Sequence, residues 1–470
     1  MNHQNRDFIQ NRTFDEIAVG DSAQLVRTLL PEDIHLFAVM SGDVNPTHVD
    51  PEFARSSQFR EVVGHSMWGS VLISSILGTE FPGPGTVYVG QTLKFWRPIT
   101  IGDTLTVTIT CIQRFEHNHH LLLECQCINQ DGLKVIDGTA EVMAPTEKIK
   151  RPRMAMPEIT ISDRQQRYLH VLELTKGMEP IPMAVAHPCD TESLRGPIQA
   201  RDAGLIIPVL VGPESKIREV AEREGLDLRG VRIIDVAHSH ASAETAVRLA
   251  RTGEVEALMK GSLHTDELMS EVVNKETGLR TARRISHVFM ADVPTYPHPL
   301  LITDAAINIA PSLEDKMHIV QNAIELAIMM GVPEPKVAIL SAVETVNVKI
   351  RSTLDAAALC KMADRGQIRG GLLDGPLAFD NAVSLVAAKT KGIRSAVAGQ
   401  ADILVVPDLE SGNMVAKQLE YLADALMAGV VLGARVPIVL TSRADTAETR
   451  TASCAIAQLM AHKRRQGVRL

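Results

Sequence analysis

Aromatic residues are scarce in this chain: Phe, Trp and Tyr make up 3% of 470 residues. That is too few for base stacking on single-stranded nucleic acid to be its main business. A sustained basic stripe is missing as well. The formal net charge is −8, and the one basic run, HKRRQGVRL at 462–470, suits the carboxyl-terminal dipole of a last helix better than a polyanion. No nucleic-acid partner is expected. Cysteine is sparse too, with six residues spread along the chain. They form no disulfide framework, and a reducing cytoplasm is expected. The opening MNHQNRDFIQNRTF lacks the apolar core of a secretory signal. The longest apolar stretch, ALMAGVVLGARVPIVL at 425–440, is interrupted by Gly433, Arg435 and Pro437 before it reaches the ~20 residues of a membrane span. It reads as a helix end followed by a buried strand, with no membrane partner. Neither GxGxxG nor a Walker A motif occurs, so nucleotide-cofactor and nucleoside-triphosphate chemistry drop out.

What is present is an ordinary globular balance, 45% hydrophobic and 22% charged. The length exceeds the ~250 to 300 residues at which one core stops growing, so more than one folded unit is expected. Two grammars divide the chain. Over 86–146, TVYVGQTLKFWRPI, DTLTVTITCIQRF, HHLLLECQCIN and LKVIDGTAEVMA alternate like strands between Gly-Asp and Asp-Gly turns. Upstream, HSMWGSVLISSILGTEF is spaced as a mostly apolar helix, and an antiparallel sheet wrapped around it is the economical packing. Residues 147–165 turn polar and proline-bearing, as a linker does. From 166 to 470, short apolar strands alternate with helices: MAVAH, IIPVLVG, VRIIDV, VEALMKG, PLLITD, KVAILSA, GGLLDG, ADILVVPD and VPIVLTS. Such near-continuous apolar runs predict parallel strands covered on both faces.

Within SGDVNPTHVD, residues 41–50, Asn45 and Pro46 make an ordinary turn or cap. Asp43 and His48 ask for more. A carboxylate and an imidazole five residues apart across a turn can hold one water, one group removing a proton and the other returning it. Together with VVGHSMWGSVLISSILG and PGPGTVYVGQTLKFWRPITIGDT, the stretch DVNPTHVDPEFA resembles the MaoC-like (R)-specific 2-enoyl-CoA hydratases over residues 12–146. The resemblance implies a hot-dog fold and hydration of trans-2-enoyl-CoA to a 3-hydroxyacyl-CoA. Asp43 and His48 fall on that family's catalytic pair, with Asn45 supporting them and Ser74 on a family serine in the central helix. Where the family has His-Gly-Met, this chain has His65, Ser66 and Met67. The resemblance implies that the backbone N–H at the second of these positions polarises the thioester carbonyl, so the change is expected to bear on binding or rate rather than on reaction type.

In the carboxyl-terminal part, polar residues gather where strands end: KGSLHT, TDAAIN, GPLAFD, PDLESGN and TSRAD. Any one such loop reads as a helix cap. Beyond the carboxyl ends of parallel strands, however, several can line one cleft. Arg443 beside Ser442, ahead of a helix, suits a bidentate phosphate contact. Read together, these loops resemble the phosphate acetyl/butyryltransferase family over about 166–470. That resemblance implies reversible acyl transfer between coenzyme A and phosphate, with Arg443 holding phosphate and Ser442 bonding the oxyanion. An acid takes the thiol proton of CoA, either Asp445 as in butyryltransferase-like members or, further into the helix, Glu448 beside Thr449. Gly261, Ser262, Asp304, Asn308, Asp374, Asp408, Gly412 and Asn413 are expected to line the site.

The expectation is a bifunctional enzyme using acyl-CoA, CoA, inorganic phosphate and acyl phosphate, with no metal or redox cofactor, assembled as a homo-oligomer. Two rivals stand beside it. One makes the hot-dog unit a non-catalytic acyl-CoA-binding or dimerising module. The other makes the second part a different acyl-handling enzyme, such as a dehydrogenase, against which the missing glycine fingerprint speaks.

Overall fold

The computed structural model describes residues 8–156, 159, 172–441 and 445–467. The chain divides into two compact units, Met1–Ser162 and Asp163–Leu470.

In the first unit five antiparallel strands lie in the order Ser22–Thr28, Thr104–Phe115, His120–Ile128, Lys134–Met143 and Val87–Phe95. The helix Met67–Thr79 lies against their concave side. Alternation explains the packing: Leu105, Val107, Ile109 and Cys111 share one strand face and are buried against a core that includes Trp68, Leu72, Ile73, Ile76 and Leu77. Each large apolar side chain so covered stabilises the fold by about 1.5–3 kcal/mol relative to exposure. Gly69 sets the approach of helix to sheet, because a Cβ there would lie 2.3 Å from Ile136 Cδ1. This is the hot-dog arrangement. The edge strand Ser22–Thr28, whose sequence SAQLVRT alternates only weakly, went unread from the sequence. Cys125 and Cys127 share a strand face as expected, and both are buried, which pushes their thiols up to about 12.

The expected linker, 147–165, begins with ordered backbone. Lys150–Pro152 pairs antiparallel with Phe8–Gln10. Asn11 pins the same segment, donating from Nδ2 to the Glu147 carbonyl at 2.7 Å and accepting from the Ile149 N–H at 2.8 Å. Residues 157–158 and 160–165 lie outside the described residues.

In the second unit an eleven-stranded sheet is seen among the described residues. Its order is Arg232–Asp235, Ile206–Gly212, Ile181–Ala186, Ala257–Lys260, Ile438–Val439, Leu426–Leu432, Ser286–Asp292, Leu300–Thr303, Ile403–Val405, Lys336–Leu340 and Leu372–Leu377. All nine strands read from the sequence are present. Two were missed, Leu426–Leu432 and Ser286–Asp292, and they stand in the middle of the sheet. The stretch 425–440, read as a helix end and a strand, is instead two strands, Leu426–Leu432 and Ile438–Val439, paired antiparallel. An all-apolar run buried on both faces carries no period that separates strand from helix; β-branched Val430 and Val431 favour the strand.

Those two strands also alter the topology. Pairing is antiparallel between Ile438–Val439 and Leu426–Leu432, between Leu426–Leu432 and Ser286–Asp292, and between Ser286–Asp292 and Leu300–Thr303. Three reversals leave the two parallel blocks running in opposite directions. Their carboxyl ends therefore face opposite edges of the sheet, which corrects the simple expectation that every strand-end loop opens onto one cleft. The last helix, Ala447–Arg465, is buried over most of its length and carries His462, Lys463, Arg464 and Arg465 in its final turn, where cations complement the helix dipole.

Candidate active sites

In the first unit the helix Pro31–Ser41 is ended by Gly42, whose left-handed φ of 75° turns the chain sharply. Asp43 follows, exposed, with its N–H on Ser41 Oγ at 3.2 Å and its Oδ1 accepting the Asn45 N–H at 3.3 Å. Asn45 then caps the short helix Pro46–Val49, its Oδ1 accepting the Thr47 N–H at 3.1 Å. Asn45 is thus both a cap and the fastening that sets Asp43 beside His48. His48 Nδ1 lies 2.7 Å from the Val63 carbonyl. A carbonyl only accepts, so Nδ1 carries a proton, and in the neutral ring Nε2 is the nitrogen left with a lone pair.

His65 joins them from the start of the next helix. It is 2% exposed, lies 4.1 Å from His48 ring to ring, stacks on Phe37 at 4.6 Å, and donates from Nε2 to the Asp43 carbonyl at 2.9 Å. Its Nδ1 is buried with no hydrogen-bond partner. Asp43, His48 and His65 each offer an atom within 4.8 Å of the others, so they are also the described residues best placed to share a cation. Ser66 opens the helix with helical angles, φ −55° and ψ −34°, and its side chain makes no capping bond. A side chain is therefore accommodated at the glycine's place without strain, and the N–H groups of the first helical turn begin beside the cluster, that of Trp68 bonding the His65 carbonyl at 2.9 Å. Ser74 stands apart from this cluster, exposed two turns further along the helix; the buried serine there is Ser70.

In the second unit Ser442 and Arg443 lie outside the described residues; the other residues expected at the site are described. Gly261 runs so close to the neighbouring strand end that a Cβ would lie 2.4 Å from the Ala186 carbonyl oxygen. Ser262 Oγ donates to the His187 carbonyl at 2.8 Å, which places it on the Ala186–Cys189 turn. Asp445 is 5% exposed, with Lys417 Nζ 3.8 Å from its Oδ1. Glu448 is exposed in the first turn of the last helix, and Thr449 is buried with its N–H on Thr446 Oγ1 at 3.3 Å.

Three side chains here were not singled out from the sequence. Arg450 is 1% exposed and reaches Thr441 Oγ1 at 2.6 Å and the Asp445 carbonyl at 3.4 Å; its burial lowers its pKa, against the pull of Asp445. Lys260, 3% exposed, donates to the Thr441 carbonyl at 3.4 Å. Lys417 reaches in from the helix Leu409–Leu422. Lys260 stands inside KGSLHT, where a cation ending an apolar strand was a signal to be had. Arg450 and Lys417 look like surface helix residues in sequence and offered none.

A second group forms around Asp304. Its carboxylate accepts from the N–H groups of Ala306 and Ile307, both at 3.0 Å, and of Asn308 at 3.2 Å, and from the Asn308 amide at 2.5 Å. Burial raises its pKa, and these bonds oppose the rise. Asn308 in turn bonds the Ile285 carbonyl and accepts from Arg284 Nε at 2.8 Å. Gly412 lets the helix Leu409–Leu422 approach this loop, since a Cβ would lie 3.0 Å from both Ala305 Cα and the Asp304 carbonyl oxygen. Asn413 reaches the Ala305 carbonyl at 3.5 Å. Asp408 caps that helix through Ser411 and borders a cavity of about 290 Å³ with Lys316, Arg351 and Asp355. Asp374 is not gathered in: it sits on the edge strand Leu372–Leu377 and bonds the next N–H, of Gly375. The loops meet through one element. The helix that begins beside Asp304 carries Lys417 to Asp445, joining groups that leave opposite edges of the sheet.

Comparisons with known proteins divide the chain as its two grammars do. A family model described as Phosphate acetyl/butaryl transferase matches residues 238–458, and one described as MaoC like domain matches residues 16–120. Over 299 residues the chain is 62% identical to a phosphate acetyltransferase of Rhizobium meliloti, spanning 64% of this chain and 95% of that protein. A phosphate butyryltransferase of Clostridium acetobutylicum is 41% identical over 287 residues, 61% of this chain and 95% of the relative. The crystal structure of a branched-chain phosphotransacylase from Enterococcus faecalis aligns with a TM-score of 0.54 at 31% identity, covering 60% of this chain and 99% of that one.

Proposed function

The chain belongs to the phosphate acetyl/butyryl transferase family and carries a MaoC-like hot-dog domain ahead of the transferase domain, and from that premise we propose a bifunctional acyl-CoA enzyme. Its amino-terminal domain hydrates a trans-2-enoyl-CoA to the (R)-3-hydroxyacyl-CoA. Its carboxyl-terminal domain exchanges an acyl group, acetyl in preference, between CoA and phosphate.

The hydration reading is carried by the tautomer of His48. With Nδ1–H committed to the Val63 carbonyl, Nε2 is free to accept a proton from a water that Asp43 orients. The water oxygen bonds to C3 of the enoyl group, negative charge passes to the thioester oxygen, and the N–H groups at the start of Met67–Thr79 stabilise it. A proton returned to C2 completes the addition. Asn45 and His65 hold the pair in place.

For acyl transfer, the base removes the CoA thiol proton, sulfur attacks the carbonyl of the acyl phosphate, Ser442 donates to the oxyanion, and phosphate leaves onto Arg443. We assign the base to Asp445, the buried acid, rather than to exposed Glu448. Lys417, 3.8 Å away, then has to yield as the proton arrives, because a paired carboxylate is a weak base. Gly261, Ser262, Asp304, Asn308, Asp408, Gly412 and Asn413 support the loops around it, and Asp374, on the edge strand, stands outside that group. Neither reaction as written draws on a metal or redox cofactor.

The hot-dog domain is proposed to pair with a second copy of itself. Its edge strand exposes Val87, Tyr88, Val89 and Phe95, and its helix exposes Met67 and Val71, an apolar area suited to self-association. The six cysteines are free, which suits a reducing cytoplasm. A panel of C2 to C8 acyl-CoAs, assayed for enoyl hydration and for phosphate-dependent thiol release, tests the whole reading. Absence of hydration at every length would leave the hot-dog as a binding or dimerising module.

A further inference from the structure

Among the described residues His287 is the one histidine with no exposed surface, and its ring nitrogens are poorly satisfied: neither has a partner at good hydrogen-bond geometry, and the Leu440 carbonyl is the one acceptor that acts on the ring. Burying an imidazole so poorly paired is costly, so its presence in the middle of the sheet asks for a reason. Its position supplies one. The ring lies across the central antiparallel strands, edge-on to Phe289 at 4.3 Å, in space that Gly429 leaves open. A Cβ on Gly429 would lie 2.9 Å from His287 Nε2 and equally 2.9 Å from the Leu440 carbonyl oxygen. Leu440 leads directly to Thr441, the residue that Arg450 and Lys260 hold. The main chain of His287 faces the other loop: its carbonyl accepts Thr303 Oγ1 at 2.8 Å, and its N–H helps hold the Asp304 carboxylate. One residue thus touches both strand ends from which the two groups of site residues depart.

We propose that His287 is a positioning residue for acyl transfer, its ring fixing the strand end at Leu440 while its backbone fixes Thr303 and Asp304. This rests on the reading that both loops serve the transferase reaction. An apolar ring of similar size would pack there at lower cost, so a merely structural role gives no ground for histidine. Burial keeps the imidazole uncharged, with only the Leu440 carbonyl acting against it, so the ring can steer that carbonyl without introducing a charge into the core.

The test sets stability against activity. His287→Phe removes two poorly paired nitrogens at similar volume, so its melting temperature should hold or rise, while kcat for phosphate-dependent transfer should fall about 10- to 100-fold through loss of the ring's hold on the Leu440 carbonyl. His287→Gln keeps an amide donor and, though less stable, should retain more transfer than the Phe variant. Hydration of crotonyl-CoA by the same preparations should not change. Full kcat in His287→Phe, or activity that simply follows melting temperature across Phe, Gln and Met variants, would overturn the proposal. If the wild-type chain lacks transfer altogether, it is the functional reading that fails, and this assay shows that first. Should the Phe variant not fold, His287→Met carries the same comparison.

Discussion

The proposed hydratase site and the proposed transferase site are built in opposite ways. The first lies within the single stretch Asp43–His65, and the hydrogen bonds ordering it stay within that stretch. The second draws on residues from Gly261 to Arg450, held by loops that leave opposite edges of one sheet and are joined by a helix. A local site is written in the sequence almost in full, because turn chemistry fixes its geometry: Gly42 in a left-handed conformation, Asn45 as a cap and Pro46 at a first helical position leave few alternatives. An assembled site is written only in part. Its strand-end loops were visible, but the residues that hold them together, Arg450, Lys417 and His287, follow from tertiary packing that no local period reveals.

The comparison predicts where each site breaks most severely. Asp43→Asn or His48→Ala should lower crotonyl-CoA hydration by at least ~100-fold, the usual cost of losing an acid–base group. The double variant should be little worse than the worse single, since the two act on one water. Near-normal turnover in a folded single variant would remove the pair from the mechanism. In the transferase domain, Arg443→Lys keeps the charge and loses the planar fork, so phosphate-dependent transfer should fall about 10- to 150-fold, mostly as weaker phosphate use. Unchanged phosphate efficiency would take Arg443 out of the phosphate site.

A smaller effect separates the two domains by pH. His287 has its pKa pushed down to about 4 by burial, from an ordinary 6.5. The unfolded chain therefore takes up a proton below about pH 6.5 that the folded domain refuses, and the stability present above that pH is lost as pH falls toward 4. The loss attributable to this group is roughly 3 kcal/mol at most. Melting of the transferase domain followed from pH 7 to 4.5 should fall less steeply in His287→Phe than in the parent chain; parallel curves would contradict the assignment. The smallest effect is none: exhaustive dialysis against a chelator should leave both activities where they were. A lost hydration rate restored by a divalent ion would turn Asp43, His48 and His65 into a cation site.

The fold was legible to the same extent as its parts were periodic. Four alternating segments and one apolar helix gave the hot-dog core directly, because alternation with period two fixes which face is buried. Nine apolar runs gave nine strands of the second sheet. What escaped was the central pair Leu426–Leu432 and Ser286–Asp292, which are covered on both faces and so lack a period, and with them the reversal of direction between the two blocks. Asp374, grouped with the other strand-end residues on sequence grounds, stands apart because its strand is the edge of the sheet, while Lys417, from mid-helix, is carried to Asp445.

The central claim is that one chain holds two independent acyl-CoA sites. The most direct measurement is of both reactions on single preparations of the parent chain, Asp43→Asn and Asp445→Asn: hydration followed as loss of enoyl absorbance, and transfer as phosphate-dependent release of CoA thiol from acetyl-CoA. The account predicts both activities in the parent, transfer alone in Asp43→Asn, and hydration alone in Asp445→Asn. Loss of both activities in either folded variant, or a parent chain that performs only one reaction, would contradict it.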